Sequence, residues 1–152
     1  MTIQYKPADA TSAEAQHLFG EIGKEMTTLY GEDVGGDFVV DDVQGGRGLF
    51  IIAYTADGEA IGCGALRPVT QTQAEVKRVY VRPQGRGKGI AKGIMDVIEQ
   101  HALDLGYTHI KLETGTLQPA AVHIYETRGY ERIPCYGKYA DDPLSVCFEK
   151  AL

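Results

Sequence analysis

Apolar residues recur every three to four positions in two long segments, as on the buried face of an amphipathic helix. The first segment runs from Asp9 to Tyr30, and the second begins at Ile90 and ends at Gly106. Two shorter helices are predicted near Phe38 to Val43 and from Pro119 to Arg128. The pattern therefore predicts four helices, spread along the whole chain.

Strand signals fill the stretches between these helices. Runs at 3–6, 49–55, 60–66, 74–81, 108–113 and 144–150 are rich in branched or aromatic apolar residues. A turn at Asp57-Gly58 joins the second and third runs as a hairpin. Early antiparallel hairpins followed by alternating strands and helices predict an α/β fold, with a mixed sheet and helices packed on it.

The composition is that of an ordinary globular protein. A chain of 152 residues fits one domain, and 43% apolar with 24% charged residues excludes a long disordered or fibrous chain. The longest apolar run, 49–54, is too short to cross a bilayer, and residues 1–10 lack an apolar signal core. We therefore expect a cytoplasmic protein without a membrane partner.

Metal and disulfide chemistry find little support in the sequence. Cys63, Cys135 and Cys147 stand in unrelated contexts, and the four histidines show no metal-ligand spacing. We expect three reduced thiols, no disulfide and no bound metal.

A net charge of −6 conceals a local basic patch. Residues 1–66 hold 3 basic and 11 acidic side chains, whereas residues 67–152 hold 12 basic and 10 acidic ones. Six of the 15 Lys and Arg residues fall between Lys77 and Lys92, where no Asp or Glu stands. Such a patch in an acidic protein favours a small polyanionic ligand over nucleic acid, although it also fits a solvated basic face.

A glycine-rich loop at residues 85–91 lies inside this patch, between a predicted strand and a predicted helix. A helix start exposes unpaired amides and the positive end of the dipole, and glycines let phosphate oxygens approach. Arg86 and Lys88 add positive charge. The loop lacks the Ser or Thr of a P-loop after Lys88, and Ile90 replaces the third glycine of a dinucleotide fingerprint. It predicts a diphosphate cradle, with a flexible surface turn as the alternative.

Two motifs follow one another at this loop and beyond it. Residues 86–91 have the sequence Arg-Gly-Lys-Gly-Ile-Ala, and residues 118–130 have the pattern Gln-x-x-Ala-x-x-x-Tyr-x-x-x-Gly-Tyr. In this order they resemble two signature elements of the GNAT superfamily of acetyl-CoA-dependent N-acetyltransferases, with Gln118 where asparagine is common. The stretch at 75–83 looks like the fourth strand of that family. The resemblance spans about residues 49–150 and implies a mixed, mostly antiparallel central sheet with helices on both faces.

The resemblance implies acetyl-CoA as cosubstrate, bound largely by the main chain. In the family the pantetheine arm pairs with the fourth strand, here at Val79 and Val81, and an amide near Val79 faces the thioester carbonyl. Gln118 is a further contact candidate. The loop residues assigned to the CoA pyrophosphate are Arg86, Gly87, Lys88, Gly89, Ile90 and Ala91.

Two side chains are candidates for proton transfer. Tyr125 matches the family tyrosine that protonates the leaving thiolate, with packing on the sheet as the alternative. Glu75 matches the general base of histone-type members, and on a regular strand residues 75, 77, 79 and 81 share the cofactor face. The alternatives for Glu75 are that no single side chain is the base, or an ion pair with Lys77, Arg67 or Lys111.

The acceptor leaves weaker signals. The segment 30–42 contains five acids and no Lys or Arg, which fits either a lid for a cationic amine or a solvated loop. Arg67 could hold an acceptor carboxylate, and Tyr136 and Tyr139 could line the same pocket or simply pack. Amine and amino-acid-like acceptors remain equally open. The five acids are Glu32, Asp33, Asp37, Asp41 and Asp42.

The sequence and the resemblance together predict an N-acetyltransferase. It would move an acetyl group from acetyl-CoA to the primary amine of a small molecule or peptide, by direct attack in a ternary complex. The alternatives are a non-catalytic acyl-CoA-binding sensor and a mononucleotide-binding domain. The family includes homodimers, but the sequence indicates no interface.

Overall fold

Strands and helices alternate along the part of the chain that the computed structural model describes, residues 2–31 and 38–152. The first half contains β1 (Gln4–Pro7), α1 (Ala13–Tyr30), α2 (Val40–Gln44), β2 (Leu49–Tyr54), β3 (Ala60–Pro68) and β4 (Gln73–Val81). The second half contains α3 (Ile90–Asp104), β5 (His109–Gly115), α4 (Pro119–Thr127), β6 (Glu131–Ile133) and β7 (Ser145–Ala151). Every predicted helix and strand is present, with bounds shifted by a few residues at most.

The strands form one sheet in the order β1-β2-β3-β4-β5-β7-β6. All neighbouring pairs are antiparallel except β4 and β5, which are parallel. The predicted mixed, mostly antiparallel sheet is therefore confirmed. The short strand β6 was not predicted, because its Glu-Arg-Ile sequence carries no alternating apolar pattern.

Helices cover both faces of the sheet. On one face, α3 buries Ile94, Met95 and Ile98 in a core that also holds Tyr125 of α4. On the other face, α1 packs Leu18 into a second core that also takes Val43 of α2. We call these the α3 face and the α1 face. The two cores confirm the predicted helices on both sides of the sheet.

The parallel pair β4 and β5 separates soon after it begins. Their pairing covers only residues 73–75 of β4 and 109–111 of β5. Beyond these residues β4 continues to Val81 and β5 continues to Gly115 without pairing to each other. The divergence leaves one edge of β4 without a strand partner and opens space in the middle of the sheet.

A β-bulge interrupts β4 at Arg78. Tyr80 pairs with Cys63 and Lys77 pairs with Ala65, so two residues of β4 lie opposite the single Gly64. Arg78 has a φ of 59°, the left-handed conformation that residues with a side chain seldom adopt. A bulge of this kind adds one residue to the strand and reverses the side-chain alternation beyond it.

The reversal corrects one expectation about β4. Val79 and Val81 pack on the α3 core, whereas Lys77 lies opposite Ala65 of the α1 core. Glu75, two residues before Lys77, therefore faces the α1 side as well. The expectation that residues 75, 77, 79 and 81 share one face is wrong, because the bulge lies between the two pairs.

A disulfide joins Cys135 to Cys147, whose Cα atoms are 5.1 Å apart. The pairing of β6 with β7 places Ile133 opposite Cys147 and brings Cys135 within reach. The expectation of three reduced thiols is therefore wrong for this pair, because it did not include β6. Cys63 is a free, buried thiol.

Neither a membrane-spanning helix nor a cluster of metal-ligating side chains occurs in residues 2–31 and 38–152. Among these residues no helix is long and apolar enough to cross a bilayer. No group of three or more His, Cys, Asp or Glu side chains in the same residues could hold a metal ion.

Candidate active site

The diverging ends of β4 and β5 enclose a cleft of about 240 Å³. Helix α1 and helix α4 contribute to its walls, so the cleft connects the two faces of the sheet. Arg67, Val81 and Tyr136 are not among its lining residues. The site residues predicted from the sequence that do line it are Glu75, Val79, Gln118, Tyr125 and Tyr139.

The glycine-rich loop leads from β4 into α3. Gly87 and Gly89 have φ values of 77° and 79°, and Gly89 is the N-cap of α3 without a side-chain capping bond. Within the described part of the chain, the backbone amides of residues 87–92 donate to no protein acceptor. Space beside both glycines is open. Free amides at the positive end of a helix make an anion site, which fits a pyrophosphate.

The two basic side chains of this loop are partly occupied. Arg86 donates to the Val81 carbonyl at 2.9 Å and to Glu25 Oε1 at 2.7 Å. Lys88 Nζ donates to the Gln84 carbonyl at 3.1 Å. These bonds hold the loop against β4 and α1, so the main-chain amides remain as its unoccupied donors.

Tyr125 lines the cleft and is buried. Its ring packs against Tyr130 and Phe148, with centroids 5.7 Å and 6.1 Å apart. Burial raises the pKa of Tyr125 to about 12, against a smaller lowering by Arg128. Its hydroxyl has no hydrogen-bond partner among residues 2–31 and 38–152. The phenol is therefore protonated at neutral pH, and its proton remains available to a bound group.

Glu75 is held from both sides. Its Oε1 accepts a hydrogen bond from Arg67 Nε at 2.8 Å, and its Oε2 accepts one from the Tyr136 hydroxyl at 2.8 Å. Only 3% of the residue is exposed. The structure thus contains the ion pair with Arg67 that was the alternative for Glu75. The second guanidinium contact, 3.7 Å to Asp42, leaves Arg67 committed as well.

Only part of the acidic segment 30–42 lies within the described residues. Asp41 and Asp42 lie in the first turn of α2, and Asp42 approaches Arg67. The other three acids, Glu32, Asp33 and Asp37, lie outside the described residues.

Gln118 braces the turn between β5 and α4. Its Oε1 accepts hydrogen bonds from the Gly115 amide and from the Tyr30 hydroxyl, each at 3.2 Å. The Leu117 amide donates to the same Tyr30 hydroxyl at 3.3 Å. The amide oxygen of Gln118 is therefore used to join α1 to this turn.

Two charged residues of the cleft were not predicted from the sequence as site residues. Lys77 lies in β4, where burial lowers its pKa, and its Nζ donates to the Tyr139 hydroxyl at 3.4 Å. Glu113 lies in β5, where burial raises its pKa, and its Oε2 accepts from Ser145 Oγ at 2.7 Å. The alternation of His109, Lys111 and Glu113 with buried residues was the available signal.

The disulfide ties down the segment that carries Tyr136, Tyr139 and Ser145. We expect Cys135→Ser to lower the free energy of unfolding by about 2–4 kcal/mol, since the cross-link no longer restricts the unfolded chain. The KM for the acceptor should rise severalfold while the Kd for CoA changes less than twofold. A reducing agent should lower the stability and raise the acceptor KM of the native protein to the same extent. It should change neither quantity in Cys135→Ser. An unchanged acceptor KM would contradict the prediction.

The chain is similar in sequence to a known family and to several of its members. A model described as the acetyltransferase (GNAT) family matches residues 17–130. The IAA acetyltransferase of Azospirillum brasilense is 36% identical over 104 residues, 68% of this chain and 67% of that protein. The uncharacterized N-acetyltransferase YsnE of Bacillus subtilis (strain 168) is 29% identical over 153 residues, 99% of this chain and 100% of that protein.

Solved structures share the whole architecture. A crystal structure from Klebsiella pneumoniae, described as an acyl-CoA N-acyltransferase, has a TM-score of 0.85 and 29% identity, covering 99% of this chain and 98% of that one. An N-acetyltransferase from Thermoplasma acidophilum, solved in complex with coenzyme A, has a TM-score of 0.75 and 19% identity over the full length of both chains. The second likeness is one of fold.

Proposed function

Because the chain belongs to the acetyltransferase (GNAT) family and is an acyltransferase, we propose that it moves an acetyl group from acetyl-CoA to a primary amine. The amine would attack directly, in a complex that holds both substrates. The observation that carries this proposal is the row of unpaired amides at residues 87–92, beside a cleft that contains Tyr125.

The donor would lie along the main chain. The amides of the glycine-rich loop, from Gly87 to Ala91, would bind the pyrophosphate beside the Arg86 side chain, supported by the dipole of α3. The free edge of β4 at Val79 and Val81 would pair with the peptide-like pantetheine arm as an added strand. Gln118 would contribute to donor binding indirectly, because it holds the turn between β5 and α4 in place.

Acetyl transfer requires one bond to form and one to break. The nitrogen lone pair of the neutral amine attacks the thioester carbonyl carbon, and the oxyanion that forms accepts a hydrogen bond from an amide near Val79. The C–S bond then breaks, the thiolate takes the proton of Tyr125, and the nitrogen loses one proton, which restores the phenol and leaves a neutral amide. An alkyl ammonium, with a pKa of about 10, must lose a proton before it attacks.

The experiment that tests this proposal follows free thiol. Pure protein is mixed with acetyl-CoA and a panel of amines, and CoA binding is measured separately by calorimetry. We expect thiol release with at least one amine, and a higher Tm with CoA but not with ATP or NAD. CoA binding without thiol release for any amine would favour the sensor, and stabilisation by ATP or NAD alone would favour a mononucleotide-binding domain.

Glu75 is better suited to positioning than to proton transfer, since both its oxygens are occupied. We expect Glu75→Gln to cost about 1–3 kcal/mol by weakening the pair with Arg67, a loss of roughly 2–10 °C in Tm. The fall in kcat should be the same at every pH. If the fall shrinks as pH approaches the pKa of the acceptor amine, Glu75 is the base after all.

A further inference from the structure

We propose that the acceptor is a zwitterion of the α-amino-acid class, with its carboxylate held by Lys77 and its ammonium group lying against Glu113. The inference rests on the proposed acetyl transfer and names the second substrate of that same cleft.

Lys77 and Glu113 face one cleft with opposite charges, yet no direct ion pair joins them. Each is anchored by a neutral hydroxyl, Tyr139 for the ammonium and Ser145 for the carboxylate. Within the described residues, Lys77 makes no ion pair at all. Two partly desolvated, unpaired charges are costly, and a ligand that carries both complementary charges would offset the cost at both ends.

Charged groups around Lys77 and around Glu113 favour an anion near the lysine and a cation near the glutamate. The charge of Lys77 stands near those of Arg67, Arg78 and Lys138, and the negative Glu75 beside it is already bonded to Arg67. An anionic group is therefore favoured at Lys77. Arg67 itself, the residue first expected to hold a carboxylate, is taken by Glu75.

Glu113 meets a mixed set of groups from every element around it. Asp142 adds a second negative charge on the cleft wall, and Lys77 is the cation from β4. A cationic amine is therefore favoured between Glu113 and Asp142. The charged and titratable groups that face Glu113 are Lys77, Lys138, Asp142, Tyr30, Tyr125 and Tyr136.

Other acceptor classes fit this cleft less well. A diamine would place its second cation against Lys77, and a neutral alkylamine would leave the lysine unpaired. A dicarboxylate without an amine would meet Glu113 and Asp142. Of these classes, the one that carries both an ammonium and a carboxylate satisfies both ends.

An ammonium group bound at Glu113 would also lie near Tyr125, the proposed acid for the leaving thiolate. Glu113 lies close enough to Tyr125 for its charge to raise the pKa of that phenol. The ammonium would give one proton to Glu113, and the nitrogen would then bond to the acetyl carbon. The C–S bond would break as the thiolate takes the proton of Tyr125, and the second proton that the nitrogen loses would restore the phenol. The two protons thus move through two different side chains of the cleft.

The test uses pairs of acceptors that differ only by the carboxylate, such as phenylalanine with phenethylamine, leucine with isoamylamine and lysine with cadaverine. We expect kcat/KM to favour the amino acid at least tenfold in one or more pairs. Lys77→Met should lower kcat/KM for that amino acid at least tenfold, through KM, and change the value for the amine less than threefold. Lys111→Met, on the same face but outside the cleft lining, is the matched control and should change neither.

The outcomes separate the two proposals. A higher kcat/KM for the amine in every pair would contradict the zwitterionic acceptor. An equal fall in kcat/KM for both members of a pair in Lys77→Met would contradict it as well. Neither result would contradict acetyl transfer itself. No thiol release with any member would overturn the proposed function, and this inference with it.

A pH profile tests the role of Glu113 itself. Because burial raises the pKa of Glu113, kcat/KM for the amino acid should fall on acidification at a pH above the ordinary glutamate value of about 4.3. Glu113→Gln should remove this limb and lower kcat/KM at neutral pH by roughly 10²–10⁴. The same limb persisting in Glu113→Gln would show that another group takes the proton.

Discussion

Valine in place of Gly89 will weaken CoA binding by two orders of magnitude or more. Gly89 has a φ of 79°, so any side chain there strains the backbone by about 1–2 kcal/mol and turns the amides of the helix start away from their present directions. Each hydrogen bond to a charged group contributes about 1.5–3 kcal/mol, so losing two accounts for the expected rise in Kd. Calorimetric titration with CoA measures it.

A second glycine provides the control for Gly89. Gly106 follows α3 at its other end with a φ of 88°, and a Cβ there also meets nothing within 4 Å. Gly106→Ala should cost similar stability and leave the Kd for CoA within twofold. If Gly89→Val does not fold, Gly89→Ala tests the same site. A folded Gly89 variant with native affinity would refute the assignment of the loop to the pyrophosphate.

Phenylalanine in place of Tyr125 will lower kcat by roughly 10²–10⁴, the usual contribution of a positioned general acid. The ring contacts with Tyr130 and Phe148 are kept, and the hydroxyl that is lost has no partner among the described residues. Stability and the Kd for CoA should therefore change little. In the native enzyme, Tyr125 should cause no loss of kcat on the alkaline side until pH nears its pKa of about 12.

Tyr130→Phe is the matched control for Tyr125→Phe. The two rings touch, but the Tyr130 hydroxyl donates to Glu99 Oε2 at 2.9 Å and lies outside the cleft lining. Its removal should lower Tm and spare kcat. Turnover by Tyr125→Phe at the native rate would remove that phenol from the mechanism and leave it a packing role.

The order of elements could be predicted from the sequence, and so could the loop that we propose as the donor site. Helical spacing marked α1 and α3 because each buries one continuous apolar stripe. The glycine-rich loop was recognisable because an anion site made of amides needs glycines and a helix start, and both are local features. Tyr125 was found through its distance from Gly129 and Tyr130 within one motif.

The acceptor side could not be predicted in the same way, because it depends on pairing between distant residues. The bulge at Arg78 follows from the register of β3 against β4, which places Gly64 opposite two residues. The disulfide depends on β6, a strand of three residues that only its partner β7 defines. Lys77 and Glu113 have ordinary strand sequences around them, and their shared cleft exists only because β4 and β5 diverge.

The extra residue at Arg78 places the side chains used on the two sides of β4 at positions that can be substituted independently. Glu75 and Lys77, before it, lie on the α1 face, whereas Val79 and Val81, after it, lie on the α3 face. If acetyl transfer proceeds as proposed above, replacements at 75 and 77 would alter the acceptor side of the cleft and leave Val79 and Val81 in place beside the donor. Deleting the single residue at 78 would restore the regular pleat with Val79 opposite Gly64, and it would leave both sets of side chains on their present faces.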